Sequence, residues 1–588
     1  MNPIDPEKTA MARAEDLRVK RQELMRLSPQ KALDQILESP QAVALVHSFA
    51  EEDFYLLVND IGPDDSLPLL GMASNRQWNY ILDIESWSKD RLDIKALTAW
   101  MNRLLTADSR RLIRWCFEEN METVRLYLFR TIDIHIREYD QAPSDLGDGF
   151  FSDDDTYYVR IREEGDPGDE TGREKALKYK FLSEFLGRLS VYDHVRYQNL
   201  LMESAAVLPA ESEEELFRLR NVHLAEKGFL PSHEAVGIYQ GLKVTELHRQ
   251  GIKHLRKSTS SITMLPVPLS SANLLNDESL FARSLAQIQD AGVIMELQAE
   301  FAGLSNQVIS ADGVRIHDRQ VLQAVVKKVS DYLDLGLELI LEGKTTPESS
   351  ATLIEKYPLI NIFRVGYGAV LELKWRAQKW QKDSWFTRTG LPLSFWGEKW
   401  LGLLGGLLID KPKYFTNHAD GVLYREFESH ADILHTRDNL TEIIRADNLL
   451  SLMDIRIKSM TVYRYLSFHN LILTLWANDF LAMPPQAEEP IPIPMGTFKK
   501  LHERLWKGGI PPRKIRDDIK AHFLDVLSRR SGLKNYEITE QLGAVLEGLF
   551  TDIEMELGEV PGKGLDPRFI QLFLIRNSGK TTSTDEKS

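Results

Sequence analysis

Residues Asp53–Trp87 read DFYLLVNDIGPDDSLPLLGMASNRQWNYILDIESW. Phe54, Leu57, Val58 and Ile61 fall at i, i+3, i+4 and i+7, the spacing of one apolar stripe on a helix. Trp78, Ile81 and Leu82 repeat that spacing, and so do Leu97, Met101 and Leu104 just beyond. Ser74 opens SNRQ, a capping box in which Gln77 reaches back to the cap. The segments GPDD and SKDRLD are turns between the stripes. Upstream, Ser28-Pro29 and Ser39-Pro40 each place a serine at the N-cap and a proline at the first helical position. Helices of roughly 8–15 residues are marginal alone in water. They must bury their stripes on each other, as in a solenoid of helical pairs. The stretch holds no obvious catalytic group and reads as a stacking element.

The chain has 588 residues, 43% of them hydrophobic, enough for two to four domains. Its formal net charge of −15 argues against nucleic acid or an anionic membrane surface as the main partner. One cysteine, Cys116, excludes an intrachain disulfide and a thiolate metal cluster, and its apolar neighbours mark it as a core residue. The N-terminus lacks an apolar signal region. The longest apolar run, WLGLLGGLLI at 400–409, is about half the ~20 residues of a membrane span. A cytoplasmic protein is expected.

The expected fold class is mainly α: stacked short helices, solenoid-like, in the N-terminal part, then a small acidic β-hairpin or loop insert, then further helical domains. A polar tail occupies residues 1–25 and the helical-repeat domain residues 26–139, with helices reaching about Arg137. Residues 140–173 form the acidic insert; from 140 to 170 it holds eleven Asp or Glu against two Arg. Inside it, TYYVRI at 156–161 has the β-branched and aromatic content of a strand. Helical patterning resumes over 174–257 and ends in the basic segment His248–Lys257. A Ser/Pro linker covers 258–278, and a central helical domain 279–483. The clearest buried stripe of that domain is Leu322, Val325, Val326, Val329, Leu333 and Leu337. A Pro-rich linker at 484–496, a C-terminal helical unit at 497–576 and a disordered tail at 577–588 complete the chain.

Motif tests exclude most chemistry. GKTT occurs at Gly343 and Gly579, but a phosphate loop needs glycine where Glu338 and Leu574 stand. At the first, Gly343 ends a helix, Thr346 caps the next and Pro347 takes its first position. Gly366 and Gly368 lack the third glycine of a dinucleotide fingerprint, which would be Leu371, and read as close helix contacts. Asp153, Asp154 and Asp155 lack the glycine and distal glutamate of a calcium loop, so a solvated acidic insert is favoured over a metal site. His418, Asp420, His430, Asp432, His435 and Asp438 lie near each other in sequence, a candidate metal or general-base cluster. His430 and His435 are five apart and do not share a helical face, so edge-of-core histidines are favoured. Trp375, Trp380, Trp385, Trp396 and Trp400 are crowded, and core packing is the favoured account. No residue is assigned to catalysis, to a cofactor or to a metal.

RLRNVHLAEKGFLPSHEAVGIYQGL at 218–242 and INIFRVGYGAVLELKWRAQ at 360–378 resemble an uncharacterised bacterial family known only as a domain of unknown function. The resemblance runs from about Leu27 to Ile575 and implies no activity. Residues 51–78 also look like the helical repeats of the intracellular N-domain of MgtE-type magnesium transporters, which implies a right-handed stack of short helices. Three functions follow as expectations. The first is a scaffold or adaptor binding protein partners; the second is an enzyme with a His/Asp pocket in the central helical domain; the third is a divalent-cation-responsive regulator acting through the insert.

Overall fold

The computed structural model describes residues 6–88, 90–162, 172–249, 252–253, 275–314, 319–418, 421–455, 457, 466–483, 490–508 and 511–576. The protein is mainly α and forms two compact units, 1–366 and 367–588, whose boundary falls inside the helix Leu359–Asp383.

In the first unit most of the expected stripes are core: Phe54, Leu57, Val58, Trp78, Ile81, Leu97 and Leu104 are buried, while Ile61 at the end of its helix is half-buried. Packing skips one helix at each step. Pro29–Glu38 packs on Glu51–Ile61, Ala42–Ser48 on Leu67–Met72, Glu51–Ile61 on Asn75–Glu85, and Leu67–Met72 on Ile94–Glu118. The capping box forms, with the Gln77 N–H donating to Ser74 Oγ and the Ser74 N–H to Gln77 Oε1 at 2.7 Å. The same Gln77 side chain donates to Val46 O at 2.9 Å, so one residue caps its own helix and ties it to an earlier one. The long helix Ile94–Glu118 breaks at Asp108, whose carboxylate accepts the Arg111 N–H at 3.0 Å and restarts the helix as an N-cap does.

Two expectations fail here. Ser39 ends the helix Pro29–Glu38 instead of starting one, and the next helix, Ala42–Ser48, begins after Gln41. Residues Ile132–Ile136 are a strand, not the end of a helix. IDIHI alternates β-branched and polar residues. It pairs antiparallel with Tyr157–Ile161, Ile132 opposite Ile161 and Ile136 opposite Tyr157, and Phe150–Phe151 adds the third strand on the other side. The acidic insert therefore folds back on residues that precede it.

The rest of the first unit is built on Ala291–Asp312, Arg319–Ile340 and the start of Leu359–Asp383. The stripe Leu322–Leu337 is buried throughout. Gly336 and Gly366 let two helices touch backbone to backbone: a Cβ on Gly336 would stand 2.1 Å from Ile362 O, and one on Gly366 2.2 Å from Tyr332 O. Gly343 has φ +79°, and Thr346 and Pro347 open the following helix as expected.

In the second unit, Gly397–Leu408 lays its glycine face under a hairpin of Tyr414–Phe415 with Tyr424–Arg425. A Cβ on Gly402 would collide with the Phe415 ring. His430–Leu452 packs on Asn535–Leu557, and Asp517–Ser531 packs on that helix and on Phe468–Phe480. Trp380, Trp385, Trp396 and Trp400 are core, but Trp375 is 53% exposed, against the expectation for all five. No described helix is long and apolar enough to cross a membrane. The expected Ser/Pro linker at 258–278 and the tail at 577–588 fall largely on residues outside those described. Of the expected Pro-rich linker at 484–496, residues 490–496 are described, and there Ile493–Pro494 is a strand parallel to Ile575–Arg576 and a helix begins at Met495.

Candidate binding site

The helix Pro209–Ala225 is largely uncovered, with Leu224 its one buried residue. It lies against Asn75–Glu85 and Met121–Thr131. Charged contacts hold it there. Arg130 pairs with Glu213 at 2.6 Å, and the other Glu213 oxygen accepts the Leu92 N–H at 2.8 Å. Arg220 Nε donates to Asp83 O at 2.5 Å, and His223 Nδ1 lies 3.2 Å from Asp83 Oδ2. Just past the helix, Lys227 pairs with Glu51 at 2.6 Å. Apolar contact adds Phe217 against Trp87, ring centroids 5.7 Å apart, with the Arg220 guanidinium over the same indole.

Between these elements is a groove of about 250 Å³. Its apolar lining includes Leu82, Trp87, Leu97, Met121 and Leu219. Asp83 and Ser86 line it from the end of the helix Asn75–Glu85, and Glu118, Glu119 and Glu122 from the junction of the next two helices. Burial raises the Asp83 carboxyl above its ordinary range, against the pull of His223, and the hydrogen bond to Asp83 raises the His223 imidazole. The Ser86 hydroxyl is buried, 1% exposed, and has no hydrogen-bond partner. The opening stretch thus contributes chemistry as well as stacking, which its own periodicity did not show.

The candidate histidine cluster does not assemble. Asp432 is taken by Arg425 through two bonds of 2.8 and 2.9 Å and accepts the Glu428 N–H. His435 meets the Tyr414 hydroxyl at 3.0 Å, with the Arg425 guanidinium 4.3 Å over the tyrosine ring. The cavity beside them, about 20 Å³, admits little more than a water. His418 sits exposed in a turn, Asp438 is exposed on its helix, and Asp420 lies outside the described residues. Among the described residues no group of three His, Cys, Asp or Glu is placed to hold a metal. In the insert, Asp154 accepts the Thr156 and Tyr157 N–H groups and the Gln198 amide, and Asp155 pairs with Arg137. These carboxylates shape a turn.

The fold and groove define a mainly α protein with a mixed-charge recess on its N-terminal unit. The chain belongs to a family of unknown function, DUF6178, whose model matches residues 8–576. Comparison with curated proteins found no match, and comparison with solved structures found none.

Proposed function

We propose that the protein is a scaffold or adaptor whose N-terminal unit binds a protein partner along the groove under the helix Pro209–Ala225. One observation carries this: that helix is fastened by salt bridges and hydrogen bonds while Leu208, Leu219 and Val222 stay exposed. Leu219 lines the recess itself, and apolar side chains left uncovered at a recess are a common mark of an interaction surface. The helix-on-next-but-one packing also supports the likeness of the first third to the intracellular helical domain of MgtE-type transporters, a likeness of fold alone. The lone buried cysteine suits a cytoplasmic setting.

Leu219 and Val222 are exposed, so serine at both leaves the core untouched. The wild-type full chain should recover a near-stoichiometric partner from native lysate, and Leu219→Ser with Val222→Ser should lose it. Equal recovery by both chains would remove the groove from the interface.

A further inference from the structure

The groove carries a charge pattern that selects its occupant, and we infer that it receives a basic amphipathic helix of the partner protein; this deepens the scaffold reading and rests on it. The recess of about 250 Å³ is smaller than the ~300–1,000 Å³ of sites that enclose a small molecule, and it suits an anchoring side chain. Its apolar lining comes mostly from helices, with Trp87 and Leu92 added by the short hairpin of Trp87–Ser88 with Arg91–Leu92, a setting in which an amphipathic helix can lay its apolar face into a groove.

The rim is acidic. Within the lining, Arg220 donates to the Asp83 backbone carbonyl and His223 Nδ1 meets the Asp83 carboxylate, so both side chains are turned to one residue of the same wall. That leaves the opposite wall. Glu122 is paired with Arg125, Glu119 binds the neutral Asn75 amide at 2.5 Å, and Glu118 is exposed at the end of its helix. The first half of the overlying helix, PAESEEEL, is itself acidic, with Glu211, Glu214 and Glu215 exposed and Glu215 paired with Arg218. An anionic helix would face Glu118 and the Asn75-bound Glu119 and be repelled, and lysines flanking an apolar anchor would meet them. The unpartnered Ser86 hydroxyl stands ready at the lining for a polar group of the incoming segment.

The test uses the full chain and two fluorescein-labelled synthetic helices of about five turns. Both carry the same leucine stripe; one has lysine and the other glutamate on its polar face. At ~0.15 M salt the lysine helix should bind about tenfold more tightly or better. Leu219→Ser should weaken it, and Glu118→Lys should weaken it more than Asp34→Lys, an equal change of charge on the helix Pro29–Glu38 of the same unit. If Asp34→Lys weakens binding as much as Glu118→Lys, the acidic surface attracts the peptide without a site and the inference falls. If the glutamate helix binds equally and Leu219→Ser weakens both, the basic class is wrong while the groove survives. If neither helix responds to Leu219→Ser or Glu118→Lys, the inference and the scaffold reading fall together.

Discussion

Glu52 lies in the first turn of the helix Glu51–Ile61, where a carboxylate is favoured by the helix dipole. The fold buries it, with Lys227 at 3.7 Å. Burial wins over the lysine: the carboxyl is raised from 4.5 to about 7. Lys227 is pulled down by burial, and the Glu52 and Glu51 carboxylates more than offset that, so it remains charged. A folded-state value above the unfolded one sets the sign. The contribution is whole below about 4.5, is lost as pH rises toward 7, and is level above that. Glutamine keeps the shape and cannot ionise. Across that window Glu52→Gln should spare the protein an acid-to-neutral loss of about 3 kcal/mol, the size of such a shift. Thermal melts from pH 4.5 to 7.5 read it, and parallel curves for the variant and the wild type would place the titrating proton elsewhere. The same scale explains why the groove chemistry was not legible. Asp83 and His223 are 140 residues apart, and neither lies in a spaced motif. Local periodicity records which face of a helix is apolar; it carries no information about which distant side chain will meet Asp83.

At the scale of elements, the sequence was legible wherever a local rule was sufficient. The Ser74 box, the Gly343–Thr346–Pro347 junction and the Leu322–Leu337 stripe depend on residues within a few positions of each other. The strand Ile132–Ile136 was not legible, because it follows the helix Met121–Thr131 with no turn residue and its partner Tyr157–Ile161 comes only after an acidic loop. Ser39-Pro40 failed for a related reason: the cap chemistry is correct, but the chain needed those residues to leave one helix before entering the next. The glycines in GYG were read as close contacts, and Gly366 is one, with Gly336 as its counterpart on the neighbouring helix. Gly336→Ala would set a methyl 2.1 Å from Ile362 O, against backbone that cannot turn aside as a side chain would. The better helix propensity of alanine, about 1 kcal/mol, is small beside overpacking of about 1–3 kcal/mol or more. The variant should lose about 1–2 kcal/mol net by chemical denaturation. A stabilised Gly336→Ala protein would mean that the two helices are not held at backbone contact.

For the whole molecule, the division between compact units falls inside the helix Leu359–Asp383, where the apolar pattern continues without a break and gives no sign of a boundary. The groove belongs to the first unit, and so does the one cysteine. Cys116 lies near the end of Ile94–Glu118, two residues before Glu118 of the groove rim, and is 1% exposed. Burial pushes its thiol far above the ordinary range, and a thiol reacts as the thiolate. Alkylation therefore has to wait for the stack to open. At pH 8 the native chain should label at least ~100-fold more slowly than the chain in denaturant, where one thiol per chain reacts. Fast native labelling would show that the helical stack around Cys116 does not hold closed. The measurement also reaches function, because a ligand that binds only the closed form leaves only the unliganded fraction free to open, which slows opening by a factor of one plus the ratio of free ligand to Kd. A lysine-faced helix at about 100 times its dissociation constant should slow labelling a further ~100-fold. At the same concentration the glutamate-faced helix, bound about tenfold more weakly, should slow labelling only about tenfold, and Glu118→Lys should likewise lessen the effect of the lysine helix. A thiol outside the groove would then report its occupant without any label placed in the site.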